Sequence, residues 1–138
     1  MRMSPYLHFN GQCEEAFKFY QRVLGARIEA SFPFEGTPAA DQVPAEWRKK
    51  ILHARLTVAG QELLGSDPPP GRYQKPQGFS VSLDFKEQDL AEASRVFQAL
   101  SENGQIGMPF GKTFWAEGFG MAVDRFGIPW IVNCEKSK

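Results

Sequence analysis

The sequence predicts an α+β fold in which one succession of elements, strand-helix-strand-strand-strand, occurs twice. Three observations predict it. An apolar stripe at helical spacing occurs once in each half of the chain. Runs of alternating apolar and polar residues, the mark of half-buried strands, follow each stripe. A stretch dense in proline and glycine, "SDPPPGRYQKPQG", residues 66–78, separates the halves and reads as a linker. The 138 residues fit one domain, residues 1–138, with module one over about 4–67, the linker over about 68–77 and module two over about 78–135.

In the first half, residues 6–9 form a short strand that Asn10-Gly11 ends. From Cys13 the apolar side chains fall at Cys13, Ala16, Phe17, Tyr20, Val23 and Leu24. Glu14 and Glu15 suit the positive end of that helix, and Gly25 suits its C-terminus. Residues 27–34 form a second strand. A polar loop over 35–50 follows, with a short helical turn at 44–47. Residues 51–58 and 62–66 make a hairpin over Ala59-Gly60-Gln61. In the second half, residues 79–85 form a strand, and "DLAE", 89–92, has the spacing of a capping box. Leu90, Ala93, Phe97 and Leu100 give the helical stripe that Asn103-Gly104 stops. A strand over 105–114 is interrupted by Pro109, and 118–123 with 129–134 make a hairpin over Asp124–Gly127.

The totals exclude several function classes. Sixteen basic residues balance sixteen acidic ones, so no electrostatic footprint for nucleic acid or an anionic membrane follows. No apolar run approaches a membrane span, and Met-Arg-Met-Ser-Pro-Tyr holds no apolar signal core. Cys13 and Cys134 make no zinc or redox spacing and read as reduced thiols of a cytoplasmic protein, a secreted protein with one disulfide being the alternative.

Alternation sorts the strand faces. Leu52, Ala54, Leu56 and Val58 oppose Ile51, His53, Arg55 and Thr57. Phe79, Val81, Leu83 and Phe85 oppose Ser80, Ser82 and Asp84, and Leu7 and Phe9 oppose Tyr6 and His8. The apolar rows pack beneath the helices. The other rows share one polar, aromatic-edged face; Tyr6, Phe114, Trp115, Phe119 and Trp130 are more aromatics than a solvated face needs, several of them belonging to the core or a dimer interface. If the sheet curls, that face walls a cavity suited to a small molecule; a plain solvated sheet face shows the same alternation.

Three segments, "PYLHFNGQCEEAFKFYQRVLGA", "ILHARLTVAGQELLGSD" and "KTFWAEGFGMAVDRFGIPWIVN", resemble the PhnB-like branch of the vicinal oxygen chelate superfamily, which includes glyoxalase I, extradiol dioxygenases, fosfomycin-resistance proteins and bleomycin-binding proteins. The resemblance covers nearly the whole chain. It implies two βαβββ modules forming a curled mixed sheet with helices on its outer face, the glyoxalase/bleomycin-resistance/dioxygenase fold, and usually a homodimer. In metal-dependent relatives the ligands are His or Gln on a module's first strand and Glu on its last. Carried onto this chain, the last-strand position is Ile131, and the first-strand positions fall near Ser80 and near Tyr6, two residues from His8. The usual carboxylate-imidazole set is missing. Members of the branch are sometimes labelled ubiquinone-type methyltransferases; the sequence has no glycine-rich loop between a strand and a helix and no parallel-sheet pattern to support a nucleoside cofactor.

His8 and His53 are the only histidines. Each suits a general base, and together with Asp84 or Asp67 they would offer a divalent metal a non-standard set. Arg55 suits a ligand carboxylate or phosphate, or a pairing with Asp84 or Glu62. Asn133 shares a row with Ile131; Lys112 and Thr113 line an entrance or cap a strand; Cys134 shares the helix-facing row of Trp130 and Val132. The expectation is therefore a cytoplasmic, homodimeric small-molecule-binding protein with no predicted cofactor. Its ligand-binding residues are Tyr6, His8, His53, Arg55, Ser80, Ser82, Trp115 and Asn133. The alternatives are a metal-dependent glyoxalase-like lyase or dioxygenase with non-standard ligands, and a dimer whose interface is the functional surface. Whether the 35–50 loop closes over a site stays open.

Overall fold

The structure, a computed structural model, describes residues 1–137. Backbone packing divides the chain into two compact units, residues 1–75 and Pro76 onwards, and the division falls inside the proline-rich stretch.

The first unit runs β1 (Tyr6–His8), α1 (Cys13–Leu24), β2 (Arg27–Pro33), β3 (Ile51–Val58) and β4 (Gln61–Ser66), with short 3-10 turns at Pro38–Gln42 and Ala45–Trp47. Its sheet has the order β1-β4-β3-β2. β1 pairs with β4 in parallel, and the other pairs are antiparallel. The stripe read from the sequence is the buried face of α1: Cys13, Ala16, Phe17, Tyr20 and Val23 lie against the sheet. Gly25 takes the left-handed conformation at φ 66° and donates its N–H to Gln21 O, closing the helix. Leu7, Ala54, Leu56 and Leu63 come up from the strands to meet this face. In β4 the alternation arrives at a glycine for a packing reason. A Cβ at Gly65 would lie 2.8 Å from Phe17 Cζ, so the ring occupies the space a side chain would need. Ile51, assigned to the polar row, is buried instead. The β2–β3 register shifts between Phe32 and Pro33, and this irregular end turns Ile51 inward.

The second unit repeats the plan with β5 (Val81–Phe85), α2 (Leu90–Ser101), β6 (Gln105–Gly111), β7 (Ala116–Val123) and β8 (Pro129–Glu135), in the order β5-β8-β7-β6. β5 and β8 are parallel, the rest antiparallel. Trp130, Val132 and Cys134 are buried on alternate positions of β8, and a Cβ at Gly120 would meet the Phe97 ring at 2.6 Å, as Gly65 meets Phe17 in the first unit. Pro109 lies on the edge strand β6, where no ladder partner is lost, and the β6–β7 register slips on both sides of Met108.

Two expectations for this half are corrected. The strand begins at Val81, leaving Phe79 exposed and Ser80 ahead of the ladder. The "DLAE" capping box does not form. A 3-10 turn at Glu87–Asp89 leads straight into α2, so Asp89 sits at φ −102°, ψ 22° rather than in the extended conformation a capping side chain needs, and it makes no cap bond. Glu92 pairs with Arg95 instead.

The helix-on-glycine packing gives a direct prediction. Gly65→Ala forces a buried Phe17 ring to move and is expected to cost about 1–3 kcal/mol. The check is a lowered urea midpoint with an unchanged slope; an unaltered midpoint would mean the ring yields freely.

Candidate functional site

The polar cluster with the most chemistry in the first unit lies on the helix-free face of its sheet. Leu7 is buried, so its neighbours Tyr6 and His8 point to the opposite side. The ladders place Tyr6 opposite Leu64, Leu64 opposite Arg55, His8 opposite Ser66 and His53 opposite Phe32. Across these strands Tyr6 Oη lies 3.1 Å from His53 Nδ1, with the direction of the proton set by the imidazole tautomer. The Tyr6 ring meets His8 edge-on at 5.4 Å between centroids and His53 at 5.8 Å; Phe32 covers the far side of His53 at 5.7 Å. Tyr6 remains 42% exposed between the two imidazoles. A phenol hydrogen-bonded to an imidazole on an open aromatic patch can hold or pass a proton and can stack against a flat ligand.

Arg55, on the same row as Tyr6 and Leu64, is ion-paired to Glu62 at 3.6 Å. Arg2 reaches the same carboxylate oxygen at 3.5 Å, and Ser4 Oγ donates to the other at 2.7 Å. The Ser4 hydrogen bond, with help from both guanidiniums, holds the Glu62 carboxyl below the usual carboxylate range. These groups line an open groove of about 550 Å³ that also takes in Pro5, Thr57, Gly60 and Gln61.

Asp67 is a structural bracket. It is 1% exposed, and its carboxylate accepts the backbone N–H groups of Gly11 and Cys13 on Oδ1 and of Ile51 on Oδ2, at 2.9–3.0 Å. Burial pushes its carboxyl up; the three N–H groups and nearby Lys50 pull it down, and burial prevails. Its oxygens are therefore committed to the backbone. Among the described residues no three His, Cys, Asp or Glu side chains come together as a metal would need. His8 and His53 lie on either side of the Tyr6 ring. Cys13 follows the same logic: burial, then Asp67 and Glu14, raise its thiol far above its ordinary value, which keeps it un-ionised.

On the second unit, Ser82 Oγ and Asn133 Nδ2 both donate to Asp84, at 3.3 and 3.2 Å, while Asn133 Oδ1 is buried without a hydrogen-bond partner. The row beside them runs Ser82, Ile131, Met121, Met108 and is mostly apolar. Ser80 lies outside the strand. Trp115 stands in the β6–β7 connection, edge-on to Phe114 at 4.8 Å and to Phe119 at 5.3 Å. Thr113 Oγ1 accepts the N–H of Ala116, so Thr113 braces this turn, and Lys112 pairs with Glu117. Cys134 is buried and donates to Lys86 O at 3.3 Å; burial first, then neighbouring carboxylates, raise its thiol.

The structure thus joins Tyr6, His8 and His53 in one patch with Arg55 along the row, and joins Ser82 to Asn133 through Asp84. Arg2, Ser4 and Phe32 were not among the expected site residues. Parallel pairing of β1 carries the segment before it alongside β4, where Leu64 N donates to Pro5 O. The opening residues bear no pattern that announces this.

Asp67→Ala leaves three backbone N–H groups without an acceptor and is expected to cost on the order of 3 kcal/mol in denaturant unfolding. The pH dependence has a definite sign. The folded-state carboxyl titrates above its ordinary 3.8, so its contribution is full below that value and declines as pH rises through the raised folded value. Wild-type stability minus that of Asp67→Asn should fall across this window; a flat difference would contradict the assignment.

Comparison with known proteins gives consistent matches. The family model described as 3-demethylubiquinone-9 3-methyltransferase matches residues 1–133. Protein YjdN of Escherichia coli (strain K12) is 38% identical over 146 residues, covering 100% of this chain and 98% of its own. The crystal structure of protein PA1353 from Pseudomonas aeruginosa is 47% identical, covers 99% of each chain and superposes with a TM-score of 0.88. A Bacillus cereus PhnB protein, described as a putative 3-demethylubiquinone-9 3-methyltransferase, is 23% identical with a TM-score of 0.80, covering 97% of this chain and 99% of its own. The fosfomycin resistance protein FosX from Listeria monocytogenes is 9% identical with a TM-score of 0.66, covering 99% and 94%. These last two likenesses show the glyoxalase/bleomycin-resistance fold.

Proposed function

The chain belongs to the 3-demethylubiquinone-9 3-methyltransferase family, in its PhnB-like, vicinal oxygen chelate form, and from that membership we propose that it is a small-molecule-binding protein that works without a resident metal. The supporting observation is the Tyr6–His53 hydrogen bond on an open aromatic face, with His8 edge-on to the same phenol ring. The ligand stacks on Tyr6 and Phe32 and meets the imidazoles through a polar edge, while Arg55 supplies an anchor. Ser82, Asn133, Trp115 and Ser80 of the second unit are further candidates for contact. The protein acts in the cytoplasm as a homodimer, which sedimentation at twice the chain mass would support.

Methyl transfer, which the family description names, finds no nucleoside cradle among the described residues of either unit. The β1–α1 turn is Asn10-Gly11-Gln12, with a single glycine, and each sheet has one parallel pair rather than a doubly wound crevice. The donor geometry does not favour the metal-dependent lyase or dioxygenase alternative. No helix among the described residues is long and apolar enough to cross a membrane.

A thermal-shift screen with amphipathic metabolites and aromatic antibiotics tests the reading. Saturation at about a hundredfold over Kd stabilises by about 2.7 kcal/mol, a shift of several degrees. At least one compound is expected to raise the melting temperature, and Tyr6→Ala and His53→Ala should each abolish the shift. A screen in which nothing moves the curve, or a shift that survives both variants, would refute it.

A further inference from the structure

We propose that the groove lined by Arg2, Ser4, Arg55, Thr57, Gln61 and Glu62 receives the acidic end of the ligand, which makes the ligand class a flat-bodied carboxylate or phosphate monoester. The inference rests on the reading that the helix-free face of the first sheet binds a small molecule, and it adds the chemical class.

Charge and stoichiometry carry it. Two guanidiniums converge on a single carboxylate oxygen, Glu62 Oε2, at 3.5 and 3.6 Å, while Ser4 engages Oε1 at 2.7 Å. The cluster holds one positive charge in excess. Both contacts are longer than the roughly 2.7–2.9 Å of a tight charge-assisted bond. A guanidinium carries five N–H donors in a rigid fork, far more than one oxygen can satisfy. The Arg55 side chain is 37% exposed and that of Glu62 only 13%, so the acid is covered while the donors still face the groove. Glu62 is held ionised by Ser4 and the two arginines, so it competes with a ligand anion for both forks.

Size and register agree. A volume of about 550 Å³ is that of a small-molecule site. Arg55 opposes Leu64, and Leu64 opposes Tyr6, so the backbone positions of Arg55 and Tyr6 stand two strand spacings apart, about 9.5 Å, and the Tyr6 side chain crosses that gap to reach His53, two residues from Arg55 on β3. Phenol and groove therefore adjoin along β3, which suits a compact aromatic acid whose ring stacks on the Tyr6 patch while its anionic group enters the groove.

The test is calorimetric titration of the full chain with benzoate, with its neutral counterpart benzamide and with inorganic phosphate. Benzoate is expected to bind more tightly than benzamide and to weaken with added salt. Arg55→Ala should weaken benzoate by about tenfold or more, Arg2→Ala by less, and Glu62→Gln should strengthen it several-fold by removing the competing carboxylate. Melting curves without ligand confirm that each variant folds; where Arg55→Ala does not, Arg55→Lys keeps the charge, loses the fork and should still weaken binding several-fold. Benzamide binding as well as benzoate would overturn the anion inference and leave the aromatic-face reading standing. Phosphate binding that Arg55→Ala abolishes, with no benzoate response and no effect of Tyr6→Ala, would keep the groove as an anion site and sink the reading of the aromatic face. No heat with either anion would overturn the inference.

Discussion

The helix-free face of the first unit depends on the parallel ladder between β1 and β4. Three pairs set it: Tyr6 with Leu64, Leu7 with Gly65 and His8 with Ser66. A slip of one residue would exchange the faces, sending Tyr6 and His8 under α1 and Leu7 into water. So short a ladder cannot hold its register through backbone bonds alone. Packing and a buried carboxylate hold it. The Phe17 ring fits only where β4 carries Gly65. Phe9 N extends the ladder to Ser66 O, and one residue further Asp67 ties the β1–α1 turn to the start of β3 through three backbone N–H groups. These constraints place a phenol, two imidazoles and a guanidinium on one surface while leaving them accessible.

The buried acids of the two units show how differently a carboxylate can be used. Asp67 and Asp124 are almost fully covered, and each accepts several N–H donors; Asp124 takes Phe126 N, Ile128 N and the indole of Trp130, fixing the β7–β8 turn and the large side chain beneath it. Glu62 and Asp84 lie on the helix-free faces and accept from side-chain donors instead. A buried acid whose lone pairs are spent on backbone stabilises the fold and offers nothing to a cation.

Much of this was legible in the sequence because it rests on periodicity. The helical stripes from Cys13 and Leu90, the hairpin ending at Gly127 and the inward row of Trp130, Val132 and Cys134 follow from spacing alone, and they place the two βαβββ modules. The alternation that set Tyr6 beside His8 and His53 beside Arg55 also holds. Features that depend on one residue meeting a distant backbone group were not legible. Asp67 looked like a spare metal ligand because nothing in its neighbours reveals that it faces three N–H groups. Ile51 was misplaced because a register shift at Pro33 overrides alternation. The "DLAE" pattern misled because a 3-10 turn precedes α2, and Arg2 and Ser4 were passed over because only tertiary pairing brings the chain start to Glu62.

The central claim is that strand register brings one tyrosine between two histidines on an open sheet face. Nuclear Overhauser contacts in protein labelled at tyrosine and histidine rings measure this directly. Contacts are expected from the Tyr6 ring to both the His8 and His53 imidazoles, in keeping with centroid separations of 5.4 and 5.8 Å. Contacts to only one imidazole, or to neither, would contradict it.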